Sequence, residues 1–215
     1  MDRIAVLTSG GLDSAVLVAD LARDAAVFPV YVACGLVWEA EERRALGAYL
    51  AALNRPNLCP LVELALPAGA LYGEHWSTSG RDVPDAESPD SAVFLPGRNV
   101  LLIGLAAVWC STHAADTIAI GSLDENPFPD ATPRFFESYG RLLSEALDHA
   151  VRVIAPYRGL RKAELIRRHA GLPLELSLSC MQPRDGRHCG ACNKCAERRR
   201  AFAEAGVPDR TPYDA

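Results

Sequence analysis

The feature that most constrains this chain is a turn between a strand and a helix near its N-terminus. An apolar run at residues 4–8 predicts a buried parallel strand, and the apolar spacing of residues 15–21 predicts a helix. Between them, residues 9–14 read Ser-Gly-Gly-Leu-Asp-Ser. Adjacent glycines let the backbone turn tightly and approach a ligand, while the helix start offers unpaired N–H groups. The turn therefore predicts an anion site, with phosphate as the favoured anion.

Two common nucleotide motifs are excluded at this turn. No Gly-Lys-Ser/Thr follows the glycines, as it would in a Walker A loop, and the Gly-x-Gly-x-x-Gly of dinucleotide-binding folds is absent. An ordinary helix cap by Asp13 or Ser14 after a glycine turn is the plainer alternative.

Strand and helix patterns alternate along the chain after this turn. Further strands are predicted at residues 26–33, 61–66, 117–121 and 151–156, and helices at residues 39–53, 100–110, 134–150 and 162–170. This alternation predicts right-handed βαβ units in an α/β fold with a doubly wound, mainly parallel five-stranded sheet. Ligands of such sheets bind beyond the carboxyl ends of the strands, where residues 9–14 fall.

Length and charge limit the function classes. A chain of 215 residues with 49% apolar content can bury about 70% of its unfolded surface around one core. The net charge of −5 argues against a broad nucleic-acid surface, and the local excess of basic residues at 184–200 is typical of a solvated face or a subunit contact. We find neither a run of about 18 apolar residues nor a signal-peptide pattern, so we expect a cytoplasmic protein without a membrane span.

Four further segments could complete a site beside the turn. Arg98 and Asn99 follow a Pro-Gly turn at a helix start, where Arg can hold a carboxylate or phosphate and Asn can donate and accept; a helix cap with a surface charge is the alternative. Lys162 stands near another helix start, which fits a phosphate partner. Residues 67–92, rich in Gly, Pro and Ser, predict a long surface loop, with a functional lid as the alternative.

The polar loop at residues 122–133 follows the fourth predicted strand. Its acidic residues could hold Mg²⁺ with the phosphates of a nucleotide, or the polar edge of a base, or simply be solvated. They are Asp124, Glu125 and Asp130.

A second strong signal lies near the C-terminus. Four thiols fall within 16 residues, with Gly190 available for a tight turn: Cys180, Cys189, Cys192 and Cys195. This spacing predicts a closed tetrahedral metal site, structural rather than catalytic, with zinc as the first candidate. An iron–sulfur cluster and disulfides are the alternatives. The other three cysteines lie in or beside apolar runs and are expected in the core.

Taken together, these motifs carry a family resemblance. The Ser-Gly-Gly-x-Asp-Ser turn resembles the PP-loop of ATP pyrophosphatases. With residues 95–99, 128–135, 162–164 and 179–195 in collinear order, nearly the whole chain resembles the 7-cyano-7-deazaguanine synthases. The resemblance implies an adenine nucleotide α-hydrolase-like fold, with an ATP-binding domain at residues 1–175 and a zinc-binding segment at residues 176–215 packed on it.

The resemblance also implies an activity. Such an enzyme is an ATP-dependent ligase that converts 7-carboxy-7-deazaguanine and ammonia to the nitrile used for queuosine, through adenylated intermediates. It would bind ATP with Mg²⁺, carry a structural Zn²⁺ and form a homodimer, and a nucleic-acid partner is not expected.

The site residues follow from the matching motifs. ATP would contact Thr8, Ser9, Gly10, Gly11, Leu12, Asp13 and Ser14. Catalysis would involve Asp13, Arg98 and Lys162, with Asp13 on Mg²⁺ or pyrophosphate. The substrate would contact Arg98, Asn99 and Asp130. The metal ligands would be Cys180, Cys189, Cys192 and Cys195.

Departures from the family pattern leave two alternatives open. Residues 34–39 replace a Tyr-Gly-Gln-Arg-His-like segment, and residues 124–126 and 130–133 replace Asn-x-x-Asp and Asp-Cys-Arg-Pro. These positions rim the expected cleft, so a paralogue that adenylates a deazapurine or other carboxylate for amide formation with a different amine also fits. A PP-loop tRNA thiolation enzyme is the second alternative, with Cys34 as its candidate thiol, but the acidic net charge disfavours it.

Overall fold

Five parallel strands form the centre of the fold in a computed structural model, which describes residues 1–124 and 126–214. The strands are β1 (Arg3–Leu7), β2 (Ala26–Ala33), β3 (Val62–Ala65), β4 (Thr117–Ile120) and β5 (Arg152–Ile154). Their order across the sheet is β3-β2-β1-β4-β5, and every neighbouring pair is parallel. The predicted doubly wound α/β sheet is confirmed. Glu125, one of the acidic residues considered for Mg²⁺, lies outside the described residues.

Helices cover both faces of this sheet. In the described residues they are α1 (Leu12–Leu21), α2 (Glu39–Leu53), α3 (Gly69–Tyr72), α4 (Trp76–Ser79), α5 (Arg98–Thr112), α6 (Pro133–Leu147), α7 (Lys162–Arg168) and α8 (Asn193–Ala205). The long segment at residues 67–92 is not a simple loop, because α3 and α4 form single helical turns within it. Trp76 of α4 stacks on Trp38 with ring centroids 5.6 Å apart, so aromatic packing holds this segment on the domain.

Two apolar cores lie on opposite faces of the sheet. β1 shows the division, because Ala5 and Leu7 join one core while Ile4 and Val6 join the other. Helices α5 and α6 contribute to the first core, and α1, α2, α7 and α8 contribute to the second. The part of a strand that is buried on both faces is apolar at successive positions, which explains the continuous run at residues 4–7.

The C-terminal segment shares these cores. Cys180 and Met181 belong to the first core, and Phe202 of α8 belongs to the second. The N–H of Leu178 also donates to the carbonyl of Gly10 at 2.8 Å. The division of the chain at residue 175 stays a prediction, and the segment beyond it packs directly on the turn after β1.

Arg198 departs from the prediction that the basic stretch at residues 184–200 forms a solvated face or a subunit contact. Its side chain is only 2% exposed. The guanidinium donates to Leu174 O at 2.7 Å, to Thr211 Oγ1 at 2.8 Å and to Ser177 Oγ at 3.0 Å. A buried cation with several hydrogen bonds ties the C-terminal segment together, so it is not part of a solvated face.

Across residues 1–124 and 126–214, every helix is too short or too polar to span a lipid bilayer.

Two helical glycines occupy opposite environments. Gly140 of α6 faces β5, and a Cβ built there would lie 3.1 Å from the carbonyl oxygen of Val151. Gly47 of α2 is exposed, and a Cβ there would meet nothing within 4 Å. Helix α6 therefore needs a glycine for its close approach to β5, whereas α2 does not.

We expect Gly140→Ala to lower the free energy of unfolding by about 1–3 kcal/mol, because the new methyl group overpacks the α6–β5 contact. Gly47→Ala should raise it by about 0.5–1 kcal/mol, because alanine is the better helix former. Urea denaturation followed by circular dichroism measures both. A Gly140→Ala variant at least as stable as the unmodified protein would contradict the close packing of α6 on β5.

Candidate active site

The turn after β1, residues 9–14, is the centre of the candidate site, and we call it the glycine loop. Gly10 has φ +76°, and a Cβ there would lie 2.9 Å from the carbonyl oxygen of Glu42, so only glycine fits without strain. Helix α1 begins at Leu12 with Gly11 as its N-cap and no side-chain cap. The plainer interpretation, in which Asp13 or Ser14 caps the helix, is therefore wrong, and the first N–H groups of α1 remain available to an anion.

Ser14 fixes the shape of the glycine loop. Its hydroxyl donates to the carbonyl of Gly11 at 3.0 Å and accepts from the N–H of Ser9 at 3.3 Å, while Thr8 Oγ1 lies 3.4 Å away. Of the seven residues predicted to bind ATP, three could act through the backbone only, because Gly10 and Gly11 have no side chain and that of Leu12 is buried in the core.

The loop lies where the strand order reverses. β1 pairs with β2 on one side and with β4 on the other, so a crevice opens between the carboxyl ends of β1 and β4. Gly121 follows β4, and a Cβ there would lie 3.0 Å from the backbone of Asp13 and Ser14. The absence of a side chain at Gly121 lets the loop approach the end of β4.

A central cavity of about 190 Å³ occupies this crevice. It brings together most of the side chains predicted from two separate motifs: Thr8, Ser9, Asp13, Ser14, Arg98 and Asn99. Arg98 and Asn99 begin α5 and face the glycine loop across the cavity. The Nε atom of Arg98 is buried and has no hydrogen-bond partner among the described residues, so this guanidinium still has a donor to offer.

Asp130 holds Asn99 in place by two hydrogen bonds. Its Oδ2 accepts from the N–H of Asn99 at 3.0 Å, and its carbonyl accepts from Asn99 Nδ2 at the same distance. The Asp130 side chain is 8% exposed. The arrangement fixes the start of α5, and the predicted contact between Asp130 and the substrate stays a prediction.

Sequence reasoning missed two carboxylates in the central cavity wall. Glu42 of α2 is 7% exposed, and Tyr31 donates to its Oε2 at 3.0 Å. Burial raises the pKa of Glu42 to about 7, although Arg98 opposes the shift. A signal was present, because Glu42 lies on the buried stripe of α2 with Leu46 and Tyr49.

The second missed carboxylate is Glu39, in the segment that departs from the family pattern. Its Oε1 accepts from the N–H groups of Cys34 and Gly35, the latter at 2.9 Å. Leu36 and Glu39 both line the central cavity. The departure at residues 34–39 therefore gives this wall an apolar and an acidic side chain.

A second cavity of about 380 Å³ adjoins the glycine loop at Asp13, and its lining carries four basic and four acidic side chains. Asp13 and Gly121 line both cavities. Lys162 lines this second cavity with its Nζ 3.2 Å from Asp13 Oδ2, and it also contacts Glu197. Burial raises the pKa of Asp13 above its usual range, although Lys162 acts in the opposite direction. Lys162 thus contacts the glycine loop through Asp13, and its predicted role in catalysis stays a prediction.

The four predicted metal ligands converge. The sulfur atoms of Cys180, Cys189, Cys192 and Cys195 all lie within 4.8 Å of one another, and two of the separations are 3.5 Å and 4.0 Å. A tetrahedral zinc ion with Zn–S bonds of about 2.3 Å would place its sulfurs about 3.8 Å apart. The donor set and its spacing fit such an ion.

Backbone donors and a neighbouring loop complete this cluster. Cys180 Sγ accepts from the N–H groups of Gln182 at 3.3 Å and Cys189 at 3.2 Å, which favours a thiolate. Asn193, directly after Cys192, donates to Ser88 O at 2.8 Å through its side chain. The metal segment, residues 180–195, therefore also anchors the segment at residues 84–90.

Comparison with known proteins places these features in a family. The sequence model of the family described as queuosine biosynthesis protein QueC matches residues 3–206. A 7-cyano-7-deazaguanine synthase of Methanothrix thermoacetophila is 34% identical over 231 residues, covering 99% of both chains. Proteins of the same name from Pseudomonas fluorescens (32% identical, 98% of both chains) and Azoarcus sp. strain BH72 (34% identical, 100% of this chain and 98% of the relative) are also similar. These matches confirm the family predicted from the motifs, and the chain belongs to the QueC family of queuosine biosynthesis proteins.

Proposed function

We propose that this protein is a 7-cyano-7-deazaguanine synthase, an ATP-dependent ligase that makes a nitrile from 7-carboxy-7-deazaguanine and ammonia. The single observation that carries the proposal is the glycine loop, whose free helix N–H groups open on the crevice between β1 and β4 beside Arg98 and Lys162. The full-length similarity to curated synthases supports the same activity.

The reaction proceeds through two adenylations. A carboxylate oxygen attacks the α-phosphorus of ATP, the bond to pyrophosphate breaks, and an acyl adenylate forms. Ammonia adds to the carbonyl carbon, and AMP leaves with that carboxylate oxygen, giving the amide and a proton. The amide oxygen attacks a second ATP in the same way, and loss of AMP and a proton leaves the nitrile.

Each step needs charge stabilisation and alignment rather than a covalent nucleophile. We assign the glycine loop and Lys162 to the phosphates, and Asp13 to Mg²⁺ or pyrophosphate. Mg²⁺, held with the help of Asp13, would neutralise negative charge on the phosphates. Arg98 and Asn99 would bind the substrate or the α-phosphate, with Asp130 holding Asn99 in place or contacting the substrate itself.

The metal segment is proposed to hold a structural Zn²⁺. Four cysteine ligands leave no open coordination position, so the ion would take no part in the reaction. Thiolate ligands require a reducing compartment, which supports a cytoplasmic location. A homodimer is proposed from the family resemblance, and the exposed apolar side chains of Val108 and Leu142 are candidates for its interface.

The activity is tested by incubating the purified protein with ATP, Mg²⁺, ammonium and 7-carboxy-7-deazaguanine. We expect mass spectrometry to find the nitrile together with AMP. AMP with a product that stops at the adenylate or amide would favour a paralogue that uses another amine. An unchanged acid without AMP would exclude the deazapurine assignment and return attention to tRNA and other acids.

Metal analysis tests the proposed zinc site. We expect one zinc ion per chain, and Cys189→Ser should lose it and lower the thermal midpoint, because a structural zinc site contributes on the order of 10 kcal/mol to folding. Cys59→Ser, outside the cluster, serves as the control and should retain the metal. Iron with visible absorbance would instead indicate an iron–sulfur cluster.

Glu42 predicts a pH dependence of stability. Its pKa is raised from 4.5 to about 7 in the fold, so folding favours the protonated carboxyl, and this contribution is lost as the pH rises through about 7. Between pH 5 and pH 8 the free energy of unfolding should fall in the unmodified protein. The fall should be larger than in Glu42→Gln by on the order of 3 kcal/mol.

Urea denaturation at pH 5 and pH 8 measures this difference. The control is Glu74→Gln, since the Glu74 side chain is 82% exposed, and it should follow the unmodified protein at both pH values. If the free energy of unfolding changes equally with pH in Glu42→Gln and the unmodified protein, the pKa of Glu42 is not raised in the fold.

A further inference from the structure

A row of four charged side chains joins the metal segment to the glycine loop. Lys194 Nζ lies 2.6 Å from Glu197 Oε2, the other Glu197 oxygen contacts Lys162, and Lys162 Nζ lies 3.2 Å from Asp13 Oδ2. The side chains of Lys162 and Glu197 are only 15% and 24% exposed. Charges of alternating sign therefore run from α8 to the start of α1, largely removed from water.

The two carboxylates keep Lys162 charged in this position. Burial by itself lowers the pKa of Lys162, but Asp13 and Glu197 outweigh burial, and the net pKa is raised. Lys162 thus lies between two carboxylates, with Asp13 on one side and Glu197 on the other.

These two carboxylates differ in what they can do when ATP is bound. Asp13 belongs to the glycine loop, lines both cavities and is the residue assigned above to Mg²⁺ or pyrophosphate. Once Asp13 binds Mg²⁺ or pyrophosphate, its ion pair with Lys162 weakens. Glu197 lies on α8 and is outside the loop, so it can hold the ammonium before and after ATP binds.

The backbone of Glu197 is fixed through the metal segment. Cys192 is the N-cap of α8, and Cys195 lies in its first turn, two residues before Glu197. An ion bound to both thiolates would lock that turn. The position of Glu197, and through it the position of Lys162, would then depend on the same cluster that anchors the C-terminal segment.

We propose that Glu197 is a positioning residue that keeps the ammonium of Lys162 directed at the phosphates of ATP. The inference rests on the proposed function, because it takes the glycine loop to bind ATP. It adds a member to the site that the sequence motifs did not indicate, since Glu197 lies within the basic stretch at residues 184–200.

The test compares Glu197→Gln with Glu164→Gln in the metal-loaded protein. Glu164 lies on α7, two residues after Lys162, but its side chain is 40% exposed and pairs with Arg168 at the surface. We expect Glu197→Gln to lower kcat/KM for ATP by at least about tenfold and to weaken ATP binding by a similar factor. A misplaced catalytic group can cost roughly 100-fold, which sets the upper end of the expected loss. Glu164→Gln should stay within about twofold of the unmodified protein on both measures.

A double-variant cycle separates positioning from general stabilisation. Once Lys162→Met has removed the ammonium, adding Glu197→Gln should cause no further loss in kcat/KM for ATP. If the losses of the two single variants multiply in the double variant, the proposal is overturned. A Glu197→Gln variant that binds ATP as tightly as the unmodified protein would overturn it too. Thermal midpoints and zinc content are measured on every variant, and a loss of ATP affinity that follows lost zinc would also overturn it.

Glu197→Asp provides a second route if Glu197→Gln does not fold. It keeps the charge but withdraws the carboxylate by one methylene, so a partial loss of ATP affinity is expected, and full affinity would contradict the proposal. ATP binding is measured by calorimetry without the acid substrate. A failure of the proposed synthase activity would appear in the unmodified protein, whereas a failure of this inference would appear only in the variants.

Discussion

The close approach of α1 to the end of β4 is the constraint on which the site depends. Gly121 leaves room for the backbone of Asp13 and Ser14, and Gly10 turns the chain where a side chain would strike α2. These two glycines bring unpaired N–H groups into a crevice between parallel strands, where the dipole of α1 favours negative charge. The anion-binding geometry therefore results from backbone packing, and the charged side chains are arranged around it.

The C-terminal segment is part of the active-site scaffold rather than an appendage. Leu178 holds the glycine loop by a backbone hydrogen bond, and Glu197 contacts Lys162. Arg198 joins the segments before and after α8 by its hydrogen bonds to Leu174 and Thr211. The metal segment also fixes residues 84–90 through Asn193. Under the proposed function, a closed cysteine cluster would influence catalysis without touching substrate, because it would order the residues that hold the glycine loop and Lys162.

Local patterns in the sequence predicted the parts of this structure that are themselves local. The apolar runs identified β1 to β5, the adjacent glycines identified the loop, and the cysteine spacing identified the cluster. The sequence could not reveal contacts between distant elements. Glu197 and Lys162 are separated by 35 positions, and Asp130 and Asn99 by 31, and such pairs depend on how the helices pack. Arg198 was misread for the same reason, because its burial depends on segments at both ends of α8.

The central claim is that the glycine loop presents the α-phosphate of ATP to an oxygen of the substrate. Isotope transfer tests it most directly: 7-carboxy-7-deazaguanine labelled with ¹⁸O in both carboxylate oxygens is converted with ammonium and ATP, and the AMP is analysed by mass spectrometry. If both steps are adenylations, each AMP carries one ¹⁸O atom and the nitrile carries none. Unlabelled AMP would mean that water attacks the phosphate, and it would contradict the mechanism.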